Sequence, residues 1–281
     1  MSNRELGFIV KDQKPLVLAA DAIVAQACRS MWERRSGCVL VVDGAGCLKG
    51  IFTGRDAVRL LAKDKDAGHA RLGKAMTKRP VTITPTSRAI DALRTMAAGS
   101  FRHLPVTEQE KIKGVVSRGD LKGMELEQYR WQENGPPTAS ARTFRTLADI
   151  IKGRRGLIVT EDDTVQHACQ GMWRRKCGCS LVVDGDRHLS GIFTGRDAVH
   201  LLGEVNDAAA TRVKEAMTST PVTLAPSSSA IYALRAMEEG GFRHVPVVAN
   251  GKAIGVVSRN DFTGIEIDRL DEEEHLKEVI W

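Results

Sequence analysis

The stretch GIFTGRDAV occupies residues 50–58 and returns unchanged at 191–199. Working outward from it, residues 16–62 and 157–203 align without a gap, and 27 of the 47 positions are identical. The matched pairs include Cys28/Cys169, Met31/Met172, Trp32/Trp173 and Cys38/Cys179. The spacing of 141 residues persists through Met76/Met217, Pro80/Pro221, Arg102/Arg243, His103/His244, Pro105/Pro246 and Ser117/Ser258. The two halves are copies of one unit. Each half also repeats within itself: GIFTGRD at 50–56 and 191–197 is followed 64 residues later by GVVSRGD at 114–120 and GVVSRND at 255–261. The chain therefore holds four units of about 60 residues, A, B, A′ and B′ in order. A unit of this size is small for a core of its own, and such units bury their apolar faces by stacking on neighbours.

The rest of the composition narrows the class. With 281 residues, 42% hydrophobic and 27% charged, the chain is an ordinary globular sequence, long enough for about two domains. It has no apolar run of the length that crosses a bilayer, and its start lacks the apolar stretch of a signal peptide. Its six cysteines sit in apolar, periodic segments and read as reduced thiols. A cytoplasmic setting is expected. The net charge of +6 admits an anionic ligand or partner without selecting one. Gly135-Pro136-Pro137 with the following Ser and Thr breaks regular structure, placing the boundary between the halves near 133–143.

Read locally, unit A predicts strands at 39–42 and 48–52, a helix carrying Ala27, Met31 and Trp32 on a buried face, and a helix over 55–62. Unit B predicts a strand over Pro80–Pro85, a helix over 87–98 stopped by Gly99, and strands at 103–107 and 113–116 leading into a second helix. The order is β-α-β-β-α, an α/β (α+β) fold.

At this point a family resemblance becomes specific. The strand ending Gly-apolar-apolar-Thr/Ser-x-x-Asp, the preceding R-H-L-P-V or R-H-V-P-V strand and the Met-Thr pairs at 76–77 and 217–218 resemble the cystathionine-β-synthase (CBS) domain. The resemblance implies four CBS units forming two Bateman modules, 8–125 (units 8–65 and 72–125) and 145–268 (units 145–206 and 213–268), joined by a linker at 126–144. It further implies that the modules pair within one chain and that adenosine-containing ligands bind them.

The motifs are Thr53/Asp56, Ser117/Asp120, Thr194/Asp197 and Ser258/Asp261. Ser or Thr with an acid three residues later is also a capping box that satisfies free N–H groups at a helix start; the two readings are compatible. An ionised Asp accepts two hydrogen bonds and can hold both ribose hydroxyls, while a helix N-terminus offers N–H groups to phosphate. The resemblance assigns ribose to the four Asp residues, and ribose or phosphate to the four Ser/Thr residues. Arg55, Arg118, Arg196 and Arg259 lie inside the motifs and can neutralise phosphate. Arg102-His103 and Arg243-His244 stand where similar domains aim basic side chains at phosphates, whereas A and A′ carry Gly37-Cys38 and Gly178-Cys179. A histidine that donated to phosphate would make binding strengthen as pH falls from about 8 towards 6.

Other features take plainer readings. Cys177-Gly178-Cys179 lacks a second pair or a histidine at zinc-site spacing and reads as core; no metal site is expected. Trp32 and Trp173 read as part of the core stripe, and the basic residues beside them as a wet helix end. No phosphate-cradling loop, nucleophile elbow or metal cluster is present, so no enzyme and no prosthetic group are expected. The leading reading is a regulatory adenine-nucleotide-binding protein that takes AMP, ADP or ATP and controls a protein partner, with a homodimer compatible and no membrane association. The alternatives are a nucleic-acid-binding CBS protein and a sensor of NAD-type dinucleotides or S-adenosylmethionine.

Overall fold

The computed structural model describes residues 3–63, 66–134, 145–267 and 270. After α1 (Leu6–Val10), unit A forms the parallel pair β1 (Val17–Ala19) and β2 (Cys38–Val42), joined through α2 (Val24–Glu33). β3 (Leu48–Thr53) and the short β4 (Thr77–Lys78) complete the sheet antiparallel; α3 (Gly54–Leu61) follows β3, and α4 (Leu72–Ala75) leads into β4. Unit A′ repeats this with α7 (Leu147–Ile151), β7 (Ile158–Thr160), α8 (Val165–Arg175), β8 (Cys179–Val183), β9 (Leu189–Thr194), α9 (Gly195–Gly203), α10 (Val213–Ala216) and β10 (Thr218–Ser219). The run CVLVV is buried along most of its length, as the continuous apolar reading requires.

Unit B has α5 (Ala89–Ala98) and the hairpin β5 (His103–Glu108) with β6 (Lys111–Ser117); unit B′ has α11 (Ala230–Glu239) with β11 (His244–Ala249) and β12 (Lys252–Ser258). The strand expected over Pro80–Pro85 is reduced to one parallel bridge, Ile83 to Val106, matched by Leu224 to Val247. Prolines at both ends of the run lack the N–H donors a ladder needs. The helix expected directly after each Ser-x-x-Asp is likewise reduced. In B and B′ the motif makes a single 3₁₀ turn over 118–120 and 259–261. Leu121 and Phe262 then take extended backbone and bury their side chains. The helical stretch after Asp120 resumes as α6 (Gly123–Asn134). The boundary expected at 133–143 falls largely on residues outside the described ones.

Two large cores run across the halves. One joins A to A′ through α2, α3, α8 and α9, with Val24, Cys28, Met31, Leu61, Val165, Cys169, Met172 and Leu202 inside. The other joins B to B′ around Leu93, Met96, Leu234, Met237 and Phe262. Within each half the A sheet meets the B sheet in a small apolar seam: Cys38, Leu40 and Ile51 against Ile112 and Val115, and Cys179, Leu181 and Ile192 against Ala253 and Val256. The four units thus close a ring with alternating sheet and helix contacts. The halves pack on each other, as the repeat implied.

The ring closes tightly at its pseudo-twofold. A Cβ on Gly54 would lie 3.0 Å from the Gly195 carbonyl oxygen, so the starts of α3 and α9 meet backbone to backbone. Nearby, Arg29 Nε donates to the Gly203 carbonyl at 2.9 Å and Gln170 Nε2 to the Ala62 carbonyl at 3.2 Å. Trp32 stacks on His200 across the same interface, with centroids 4.2 Å apart. Neither tryptophan is core: Trp32 is 42% and Trp173 38% exposed. The apolar stripe of α2 is filled by smaller residues, which leaves the indole on the rim.

Candidate functional site

All four Thr/Ser-x-x-Asp motifs form capping boxes. Their surroundings divide them into two kinds. Asp56 is buried, and its carboxylate accepts from Thr53 N at 2.9 Å, Thr53 Oγ1 at 3.0 Å, Thr77 Oγ1 at 3.1 Å and Arg59 at 3.1 Å. Asp197 is equally closed in, accepting from Thr194 N and Oγ1, both at 2.7 Å, and from Thr218 Oγ1 at 3.1 Å. Burial raises the Asp197 carboxyl above its ordinary range, against the hydrogen bonds from Thr194 and Thr218. Thr77 and Thr218 are the threonines of the Met-Thr pairs, which gives those pairs a structural task. Asp120, by contrast, is exposed and accepts from Ser117 N at 2.6 Å. Asp261 is half-buried and accepts from Ser258 N at 2.6 Å and Ser258 Oγ at 2.8 Å.

The basic side chains converge between B and B′. A cavity of about 310 Å³ is lined by Arg102, Arg118, Arg130, Arg196, Arg243 and Arg259, with Ser117, Ser258 and Asn260 beside them. Apolar surface comes from Leu121, Leu126, Met237, Phe242, Phe262 and Ile267, and Glu238 is the one acidic residue in the lining. Burial, then Arg243 and Arg55, lower the Arg102 guanidinium from its ordinary range. Burial, then Arg196 and Arg259, do the same to Arg243, and burial with Arg130 to Arg118. These are like charges held together at a cost, the condition that an anion relieves. The charges also cross between modules: Arg243 feels Asp120, and Arg118 feels Asp261.

Of the residues picked out in the sequence, Arg102, Ser117, Arg118, Arg196, Arg243, Ser258 and Arg259 line this cavity. Asp120 and Asp261 adjoin it at the ends of the same two turns. Thr53, Asp56, Thr194 and Asp197 lie outside the lining, bonded to their own helix starts. Arg55 NH1 donates to the Ser100 carbonyl at 2.9 Å, and Arg196 NH1 to the Gly241 carbonyl at 3.2 Å. His103 and His244 also lie outside the lining and pack on the A units. A Cβ on Gly37 would sit 2.5 Å from His103 Nε2, and one on Gly178 2.8 Å from His244 Nε2. The Gly-Cys and Arg-His pairs are therefore complementary: the absent side chain of one unit makes room for the imidazole of the other. Burial, then Arg243 and Arg102, push the His103 pKa down to about 3; burial, then Arg102 and Arg243, push His244 down to about 4. The expectation of imidazoles titrating near neutral pH is corrected on this point. Each is desolvated and faces two guanidinium groups, so both are neutral near pH 7.

Several residues escaped the sequence reading. Arg130 on α6 lines the cavity and donates to the Phe262 carbonyl at 2.9 Å. Its counterpart 141 residues on is Asp271, so no repeat signalled it. Arg4 pairs with the buried Glu125 at 2.9 Å and donates to the Asp120 carbonyl at 3.0 Å. Arg145 does the same with Glu266 and the Asp261 carbonyl at 3.1 Å. Both braces keep the 141-residue spacing, a signal that could have found them. The Cys177 thiol donates to the Cys179 carbonyl at 3.4 Å, and burial pushes the Cys38 and Cys179 thiols up to about 12. Among the described residues no group of three His, Cys, Asp or Glu side chains is placed to hold a metal ion, and no helix is long and apolar enough to cross a membrane.

Comparison with known proteins matches this architecture. CBS domain-containing protein CBSCBSPB1 of Arabidopsis thaliana is 29% identical over 277 residues, covering 87% of this chain and 50% of its own. The 33.4 kDa protein of the ribosomal RNA operon of Thermofilum pendens is 30% identical over 205 residues, 71% of this chain and 67% of its own. The chain spans about half the length of the Arabidopsis relatives it matches. In structure, MJ1225 of Methanocaldococcus jannaschii superposes with a TM-score of 0.71 over 92% of this chain and 98% of its own, at 17% identity. The CBS domain family model matches residues 10–63, 72–125, 147–204 and 213–266, one segment for each unit of the ring. With four matched segments covering most of its length, the chain belongs to the CBS domain family.

Proposed function

We propose that this chain binds an adenine nucleotide at the junction of its modules and regulates a partner or an adjoining segment through that binding. The observation that carries the reading is the cavity: six arginines beside apolar surface, with a single acidic residue in the lining. Its volume is at the lower end of small-ligand sites. The arginine walls suit phosphate, to which guanidinium binds in a bidentate fork. The apolar surface suits the face of a base. Ser117/Asp120 and Ser258/Asp261 adjoin the cavity and each supplies a ribose site, since a carboxylate accepts both hydroxyls of a diol. Arg102, Arg118, Arg196, Arg243 and Arg259 take the phosphates. Of the remaining members of the set, Thr53, Asp56, Thr194 and Asp197 build helix starts, Arg55 bonds the Ser100 carbonyl, and His103 and His244 pack over Gly37 and Gly178.

A ligand seated there touches side chains of both modules, so its binding energy bears on how they pack. A ligand shifts such an equilibrium only by its differential affinity for the two arrangements, and contacts to both modules provide one. MJ1225, which shares the fold, is described as a candidate archaeal homologue of g-AMPK; that description concerns MJ1225 and lends the regulatory direction of the reading. The arginines gather around one cavity rather than along an extended surface stripe, which favours a small ligand over nucleic acid.

The test is calorimetric titration of the full chain with AMP, ADP, ATP, adenosine, NAD and S-adenosylmethionine. A phosphate-bearing adenine nucleotide is expected to bind, and adenosine at least ~10-fold more weakly, because each charge-assisted hydrogen bond contributes about 1.5–3 kcal/mol. Failure of AMP, ADP and ATP alike to bind would overturn the reading.

A further inference from the structure

The two accessible motifs differ in what their carboxylates hold. Asp120 gives Oδ2 to the Ser117 N–H, and among the described residues no hydrogen-bond donor reaches its Oδ1. Asp261 gives Oδ2 to the Ser258 N–H and hydroxyl, and its Oδ1 is taken by the Arg154 guanidinium. Arg154 is 59% exposed at its side chain while Asp261 is 19% exposed. The arginine thus comes from the solvent side and covers the oxygen that a ribose hydroxyl would need.

The repeat shows what is particular about this. The position equivalent to Arg154 in the first half is Gln13, which carries no charge. Gln13 turns elsewhere, its Oε1 accepting from the Val115 N–H at 3.0 Å. The braces Arg4–Glu125 and Arg145–Glu266, which hold the two Asp carbonyls, are alike in the two halves. The difference at Oδ1 therefore traces to the residue at 13 and 154. In the A units the question does not arise, because Asp56 and Asp197 are buried and bonded to their own threonines.

We infer that Arg154 is a self-occupying latch on the second ribose site, so that the chain fills its Asp120 site first and its Asp261 site only by displacing Arg154. The inference rests on the adenine-nucleotide reading and adds to it an order of filling. An ion pair with one exposed partner is a weak competitor; Asp261 is mostly buried, and hydrogen bonds to a charged group are the stronger kind. A separation of about ten-fold between the two sites follows.

The test uses AMP and the full chain in calorimetric titration. Wild type is expected to give one tight event per chain, with a second about ten-fold weaker or beyond the range. Asp120→Asn, which can still cap its turn, removes the tight event. Arg154→Gln installs the residue the first half already carries and strengthens the second event about ten-fold, leaving the first where it was. Adding Asp261→Asn to Arg154→Gln abolishes the second event again. Thermal melts of each variant verify folding. Two equal sites in wild type, a tight event that survives Asp120→Asn, or Arg154→Gln that leaves the second event unchanged or weakens it would each overturn the latch while the nucleotide reading stands. Absence of any AMP, ADP or ATP binding to wild type would instead remove the reading on which it rests.

Discussion

His103 and His244 show how far a residue's chemistry depends on what crosses the chain to meet it. In the sequence they are two histidines beside arginines, and their ordinary titration range is near neutral pH. In the fold each imidazole fills the space over a glycine of the neighbouring unit and faces two guanidinium groups. The sign of the consequence is definite. The folded-state values lie near 3 and near 4, below the ~6.5 of an unfolded histidine. Stability is therefore complete above about pH 6.5 and declines as pH falls towards 4, because the unfolded chain binds protons that the folded chain refuses. The loss is at most about 1.4 kcal/mol per pH unit for each histidine. Urea denaturation at pH 7.5 and pH 5 should show a steeper loss for wild type than for the double variant His103→Gln, His244→Gln. Equal slopes would place the histidines outside the buried network. A companion substitution, Gly37→Ala, puts a methyl 2.5 Å from His103 Nε2. It should lower stability by about 1–3 kcal/mol, the range for overpacking, and a denaturation curve like that of wild type would disprove the contact.

One motif serves two structural ends at the level of elements. In A and A′, Thr-x-x-Asp starts α-helices that run on into the A–A′ core, and its Asp is enclosed by Met-Thr threonines that arrive from β4 and β10. In B and B′, Ser-x-x-Asp closes a single turn, because Leu121 and Phe262 leave the helix path to enter the B–B′ core. The two carboxylates kinds should separate cleanly by mutation. Asp56→Ala strands Thr53 N, the Thr77 hydroxyl and Arg59, and should cost about 2–4 kcal/mol of stability. Asp120→Ala removes an exposed cap and should cost only ~1 kcal/mol, while weakening nucleotide binding about thirty-fold or more, the equivalent of ~2 kcal/mol of charged hydrogen bonding. Denaturation and calorimetry on the two variants check this; the reverse pattern would mean that the ligand reads the A motifs. The capping boxes were legible from spacing. Which Asp stays open was not, since Thr77 stands 21 residues from Asp56 in the chain and meets it only through strand pairing.

The whole molecule is a ring that gathers like charge at one junction. Six arginines, from units B, A′ and B′ and from α6, share one cavity, so an anion bound there should stabilise the native state by mass action, about 2.7 kcal/mol at a hundred times its Kd. Phosphate or sulfate should therefore raise the melting temperature more than chloride at equal ionic strength. The variant Arg102→Gln, Arg243→Gln should lose most of that difference while melting higher in chloride alone; an identical response to the three salts would argue against a charge-strained centre. The halves approach backbone to backbone where Gly54 and Gly195 touch. Gly195→Leu should force α3 and α9 apart, lower the melting temperature and enlarge the scattering radius, whereas unchanged scattering would mean that the interface lies elsewhere. The sequence by itself determined the number of units, the β-α-β-β-α order of the A units, the capping motifs and the family, because repeats and periodicity are local properties written along the chain. Tertiary structure alone decided which carboxylates are buried and which stay accessible, that burial lowers both histidines, that the tryptophans stand on the rim, that Arg130 lines the cavity and that Arg154 pairs with Asp261. Each of these depends on burial and on charges brought together from distant segments, and neither is a function of spacing along one strand or helix.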